Sequence, residues 1–169
     1  MSENKFLNVR KITISGIVIA VYVTVMFLTQ SFAFGQFQVR IATSLYALAS
    51  MYPFLIVPLG LANFLSNTLM GGLGMLDMVG GFLVGILTSF TCFYLRRFHV
   101  YLVGIPILLI PSLLVPLWLS YILKVPYEVL FISVGIGQVF PSIVGVFLVK
   151  YLEEPLSKTE GGLLWERKK

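Results

Sequence analysis

Residues 41–76 read IATSLYALASMYPFLIVPLGLANFLSNTLMGGLGML, a run of 36 residues between Arg40 and Asp77 that holds no charged side chain. About 20 residues cross the hydrocarbon core of a bilayer as a helix. The run is therefore too long for one span. Pro53 and Pro58 mark the break, because proline lacks a backbone N–H and clashes with the preceding turn. Two short helices are expected, near 41–56 and 57–70, the second ended by Gly71, Gly72, Leu73 and Gly74. Spans of roughly 15 residues must thin the bilayer, lie partly outside it, or be sheltered by neighbours.

Outward from this stretch, the charges divide the rest of the chain. Lys11 and Arg40 enclose an apolar segment near 12–33, and Asp77 and Arg96 enclose one near 76–95. Arg97 to Lys124 holds a segment near 101–123, and Glu128 to Lys150 one near 128–150. Residues 151–169 read as a polar tail. The expectation is an all-α membrane protein, a single domain over 1–169 built as a bundle of about six spans. Pro106, Pro111 and Pro116 predict kinks or a partly broken fifth helix, tolerated at membrane depth only when buried in protein or lining a cavity. Lys5, Arg10 and Lys11 followed by an apolar run resemble a signal peptide. The run from Ile12 to Ala33 is about 22 residues, longer than a typical h-region of roughly 7–15, so it reads as a retained first span.

Composition agrees. The chain is 58% hydrophobic and 11% charged, against roughly 25% charged in a soluble domain. Its mean hydropathy is +0.96. A net charge of +5 would hint at nucleic acid in a soluble protein; here the basic residues are better read as orientation signals. Cys92 is the single cysteine and His99 the single histidine, which leaves no internal disulfide and makes a metal site improbable. No His–carboxylate motif, Ser/His/Asp set or P-loop is present. The chain reads as a non-enzyme without a cofactor, and active transport would borrow its energy from a partner.

Placing both termini in the cytoplasm puts ten of the twelve Lys and Arg residues inside and leaves Arg40 and Lys124 outside, as the positive-inside rule favours. Polar residues then gather towards the outer face: Gln36, Gln38 and Arg40, then Thr43, Ser44 and Tyr46, then Asn63 and Asn67, then Asp77, Trp118 and Tyr121, and finally Lys124, Tyr127 and Glu128. Such groups usually face a bundle interior or a watery cavity, and an outward polar pocket accounts for them together. Plainer readings stand beside it. Trp118, Tyr121 and Tyr127 fit an interfacial belt. Asn63 and Asn67 fit hydrogen bonding between helices. Arg40 and Asp77 fit a structural ion pair, Lys124 and Glu128 fit solvated loop charges, and His99 fits a cytoplasmic loop. Gly16 with Ala20, and Gly81 with Gly85, are small-xxx-small pairs that let helix backbones approach closely, inside the chain or with another protein.

The stretch Gly35-Gln36-Phe37-Gln38-Val39-Arg40-Ile41, followed by Asn67-x-x-x-Gly71-Gly72-Leu73-Gly74-Met75-Leu76-Asp77, resembles the queuosine-precursor (QueT-like) substrate-binding subunits of energy-coupling factor transporters. The likeness covers roughly residues 10–150. It implies six helices, an outward site for a deazaguanine, and dependence on a transmembrane coupling protein and two cytoplasmic ATPases. Gly16 and Ala20 match the small-residue motif by which such subunits dock on the coupling protein. Family members commonly carry a serine-glutamate pair soon after the arginine, where this chain has Ala42 and Thr43. That departure admits a ligand such as queuine beside the aminomethyl-deazaguanine, or another vitamin. The implied ligand-binding set is Gln38, Arg40, Tyr46, Asn63, Asn67, Asp77, Trp118 and Glu128. Asp77 would accept two donors of the base edge, and Asn67 or Asn63 would donate to its carbonyl. Arg40 would hold Asp77 or meet the ligand, Glu128 would meet a cationic amine, and Tyr46 and Trp118 would stack on the ring. The rival reading is an accessory or scaffold membrane protein without a ligand; a membrane enzyme would need a reactive cluster that the sequence does not supply.

The charge asymmetry gives a first prediction. In intact cells an impermeant thiol reagent added outside labels Gln36→Cys and spares Arg97→Cys; equal labelling of both rules out the orientation.

Overall fold

The computed structural model describes residues 2–35, 37–70 and 73–157. Gln36, Gly71, Gly72 and the tail beyond Ser157 lie outside the described residues. The elements are α1 (Ser2–Leu28), the short α2 (Gln30–Ala33), a 3-10 helix (Ile41–Ser50), a 3-10 turn (Pro53–Leu55), α3 (Ile56–Leu69), α4 (Met75–Arg96), a second 3-10 turn (Val100–Val103), α5 (Gly104–Leu123) and α6 (Tyr127–Ser157). No strand occurs among the described residues.

Among those residues, four helical stretches are long and apolar enough to cross a membrane: Asn8–Leu28, Met75–Arg96, Val100–Leu123 and Tyr127–Glu153. Their outer faces carry large apolar side chains such as Leu83, Leu117 and Ile136, each more than half exposed. A surface this apolar requires lipid rather than water as solvent. The protein is a helical membrane protein.

The charge-free stretch divides at Met51 and Tyr52, with Pro53 opening the following turn and Pro58 inside the first turn of α3, where a missing N–H costs nothing. Its first half is not α-helical. Ile41–Ser50 is a 3-10 helix, far longer than the three or four residues usual for that form. It survives because its neighbours shelter it. Ala42, Thr43, Ser44, Tyr46, Ala47, Ala49 and Ser50 are all buried, with α1, α4, α5 and α6 packed around them.

Glycines set how closely α3 and α4 approach. Asn67 meets Asp77, Asn63 meets Gly81, and Gly60 meets Gly85 in one antiparallel register. A Cβ added at Gly85 would sit 2.9 Å from the Gly60 Cα. The small-xxx-small pair of α4 therefore has its partner inside this chain. Gly16 differs: it is exposed, and a Cβ there would meet nothing within 4 Å. In α5, Pro106 lies in the first turn, while Pro111 and Pro116 sit buried inside a helix that runs unbroken to Leu123. Lys124, in the left-handed conformation at φ 56°, ends it. At the other end of the bundle, Arg96 pairs with Glu153 at 3.0 Å and joins α4 to α6. Helix α6 continues to Ser157, so the first residues expected in the tail are helical.

Gly85→Ala must push backbone against backbone and is expected to lower stability by about 1–3 kcal/mol. Gly16→Ala is expected to be neutral or mildly stabilising. Thermal unfolding in detergent compares the two; equal melting temperatures contradict the helix contact.

Candidate ligand-binding site

The site grows from the turn between α3 and α4. Gly74 has φ 98°, a conformation that glycine adopts without steric cost, and it caps α4. Three residues on, Asp77 lies buried in the first turn of α4, where the helix dipole favours a carboxylate. Its Oδ1 accepts the indole N–H of Trp118, on α5, at 3.0 Å. Its backbone carbonyl accepts from Asn67 Nδ2 at 3.0 Å.

The asparagines carry the network onward. Asn67 Oδ1 accepts from Arg40 Nη2, and Asn63 Oδ1 accepts from Arg40 Nη1 at 3.3 Å. Asn63 Nδ2 donates to the Tyr46 hydroxyl and to the Gly81 carbonyl, each at 2.8 Å. The Tyr46 and Tyr22 hydroxyls are 3.0 Å apart and their rings stack. Arg40, 7% exposed, lies over the Phe34 ring, 5.2 Å from its centroid. The Thr43 hydroxyl reaches both the Arg40 carbonyl, at 2.6 Å, and Gln138 Oε1 on α6, at 2.9 Å; its single hydrogen serves one at a time. A chain of polar side chains thus runs from α1 to α5 through the middle of the bundle. Arg40 and Asp77 form no direct ion pair; Asn67 stands between them.

Beside this chain lies a cavity of about 640 Å³, within the size range of small-molecule sites. Phe34, Met70, Leu130 and Val134 line it, with Gln38 and Ser133 as its polar side chains. Two contacts tie cavity to network. Phe34 lines the one and underlies Arg40 in the other. Leu130 and Val125 line the cavity and share an apolar cluster with Trp118. The segment over the cavity is held tightly. Gln38 has φ 45°, uncommon for a residue with a side chain, and the Phe37 carbonyl occupies the place of a Cβ at Gly137.

Over residues 12–154 the chain matches the family model described as QueT transporter. The chain belongs to the QueT transporter family. No curated protein and no solved structure matches it. The family match spans every member of the polar chain from Tyr22 to Gln138. A QueT transporter is a membrane protein of transport, which accords with the apolar helices around this site.

Of the residues proposed from sequence, Arg40, Tyr46, Asn63, Asn67, Asp77 and Trp118 come together in one network, and Gln38 lines the cavity. Tyr46 is fully buried among core residues rather than facing the cavity. Glu128 is exposed on the first turn of α6, outside the network. Gly16 and Ala20 are exposed on α1. Sequence reasoning missed Tyr22, Phe34, Ser133 and Gly80. A Cβ at Gly80 would lie 2.8 Å from Trp118 Cζ2, so the indole rests against bare backbone there.

Asn67→Leu removes an acceptor from the buried guanidinium and a donor from the Asp77 carbonyl. The expected loss is about 1–3 kcal/mol for each buried group left unpaired, read as a lower melting temperature of the ligand-free QueT protein; unchanged melting contradicts the bonding described.

Proposed function

We propose that this QueT protein is the substrate-binding membrane subunit of an energy-coupling factor transporter that imports a queuosine precursor, a deazaguanine such as the 7-aminomethyl form or queuine. The observation that carries the reading is the cavity of about 640 Å³ beside a buried carboxylate, arginine and asparagine network in a member of this family. In this reading both termini face the cytoplasm and six segments cross the membrane, two of them the short pieces around the 3-10 helix and α3. The Arg40–Asp77 end then faces outward, where ligand arrives.

The chemistry fits the ligand class. A deazaguanine offers N–H donors along one edge, and a carboxylate reads such an edge by accepting them. Asp77 carries that role, Gln38 and Ser133 supply further polar contacts from the cavity wall, and the apolar lining covers the ring faces. Energy comes from two partner ATPases through a coupling protein. The exposed Gly16–Ala20 face of α1 is the proposed docking surface, because backbones approach closely only where side chains are small.

Purified Asp77→Ala is expected to bind 7-aminomethyl-7-deazaguanine or queuine at least about tenfold more weakly, which is roughly 1.4 kcal/mol. Gly16→Leu is expected to abolish uptake by the assembled transporter while the solitary subunit still binds. If Asp77→Ala binds every deazapurine tested as the parent does, Asp77 is structural and the site is elsewhere.

A further inference from the structure

One oxygen of the carboxylate assigned to the ligand already has an internal donor. Asp77 Oδ1 accepts the Trp118 indole N–H at 3.0 Å, and Asp77 is 6% exposed. The indole is also seated. At Gly80, one turn along α4 from Asp77, a Cβ would fall 2.8–2.9 Å from three atoms of the indole. Any other residue at position 80 would displace the ring. Asp77 and Gly80 together form a slot with a bare backbone floor and an anionic acceptor at its edge, and it holds a fused five- and six-membered aromatic with a pyrrole-type N–H. A deazaguanine has that same bicyclic outline and likewise presents N–H donors. Trp118 is half-buried and packs in the cluster that includes Val125 and Leu130, both of which line the cavity. The indole thus shares an apolar cluster with two residues of the cavity wall and a hydrogen bond with the carboxylate.

We propose that Trp118 is an internal placeholder for the ligand: its indole fills the Asp77–Gly80 slot in the free protein, and the bicyclic base displaces it by taking over the hydrogen bond to Asp77. This rests on the deazapurine reading above and adds a competition to it. The free protein keeps Asp77 Oδ1 bonded to an internal donor. The measured affinity is then the intrinsic affinity reduced by the fraction of molecules in which the slot is open. A ligand without an N–H donor for Asp77 cannot make the exchange and leaves the carboxylate unpaired if it tries.

The experiment uses the full chain in lipid nanodiscs, with 7-aminomethyl-7-deazaguanine and queuine as probes and calorimetry as the measure of binding. Trp165, the second tryptophan of the chain, is replaced by Phe so that emission reports Trp118 alone. The expected results are a saturable change in Trp118 emission at the calorimetric midpoint, and binding about tenfold tighter in Trp118→Phe, which keeps an aromatic ring but no N–H. Trp118→Leu, read in parallel, is expected to tighten binding as well and covers the case in which the Phe variant fails to fold. Probe binding to the parent with Trp118 emission unchanged overturns the placeholder and leaves the deazapurine reading standing. Emission that changes while both Trp118 variants bind equally or more weakly also overturns it, since the indole then touches the ligand without competing. No binding of either probe to any form removes the deazapurine reading, and the placeholder with it.

Discussion

A guanidinium buried in an apolar bundle must be solvated by the protein itself, and the arrangement of this molecule follows from how Arg40 is solvated. No carboxylate touches it. Two asparagine oxygens and the face of Phe34 surround it instead. Asn63 and Asn67 lie one turn apart on α3, so their side chains point the same way and meet the two ends of one guanidinium. Each amide has a second function. Its nitrogen donates to a backbone carbonyl of α4, at Gly81 or at Asp77. An amide is suited to this because it accepts at one atom and donates at the other. The result fixes the 3-10 helix, α3 and α4 in one register. Removing any member leaves a buried polar group unpaired, which costs about 1–3 kcal/mol against the roughly 0.5–1.5 kcal/mol that a bond contributes net.

Close approach is the condition for this bonding, and small residues provide it. A 3-10 helix rises about 2.0 Å per residue against 1.5 Å for an α-helix, so ten residues reach roughly 20 Å rather than 15. The stretch from Ile41 to Ser50 thereby covers more depth than its length would give as an α-helix. Its weaker hydrogen-bond geometry is supported from all sides, because Ala42, Ala47, Ala49, Ser44 and Ser50 are small enough for neighbours to surround it. Glycines face it and its partners: Gly85 lies under the Tyr46 hydroxyl, and a Cβ at Gly145 on α6 would be 3.2 Å from the Ser44 carbonyl. Tyr46 is the one large side chain of the buried set, and its hydroxyl is anchored by Asn63 and Tyr22.

Much of this was legible in the sequence because membrane proteins punish polarity. Arg40, Asn63, Asn67 and Asp77 stand out in a stretch where nearly every other residue is apolar, and an asparagine pair at four-residue spacing can only share a face. Their joining in one network follows from that scarcity. What stayed hidden depends on register between helices. Gly80 and Gly137 look like any glycine in an apolar helix until the neighbouring indole or carbonyl is placed against them. The cavity is lined by Leu, Val, Ile, Met and Phe side chains that also serve as ordinary core and lipid-facing residues. The 3-10 form of Ile41–Ser50 had no local signal, since alanine and serine are accommodated in either helix. The ion pair considered between Arg40 and Asp77 gives way to a bridge through Asn67, a distinction of one side-chain length that spacing along the chain cannot resolve.

The saturation of the network bears on how it can act. Among its buried polar atoms, only Arg40 Nε lacks a partner. In the proposed reading a ligand donor that reaches Asp77 Oδ1 replaces the Trp118 indole N–H already bonded there. In that reading apolar surface buried in the cavity supplies affinity, and the polar edge decides whether the exchange is even or costly. A ligand whose donors match those it displaces leaves every group satisfied. One that does not match leaves a buried carboxylate or amide unpaired, at about 1–3 kcal/mol each. The two regions are spatially distinct: the apolar cavity lies along α6, and the polar side chains lie at the ends of α3 and α4 that meet. Phe34 lines the cavity and underlies Arg40, and Leu130 lines it and belongs to the apolar cluster of Trp118. The cavity wall and the contacts that hold the bundle together therefore share side chains.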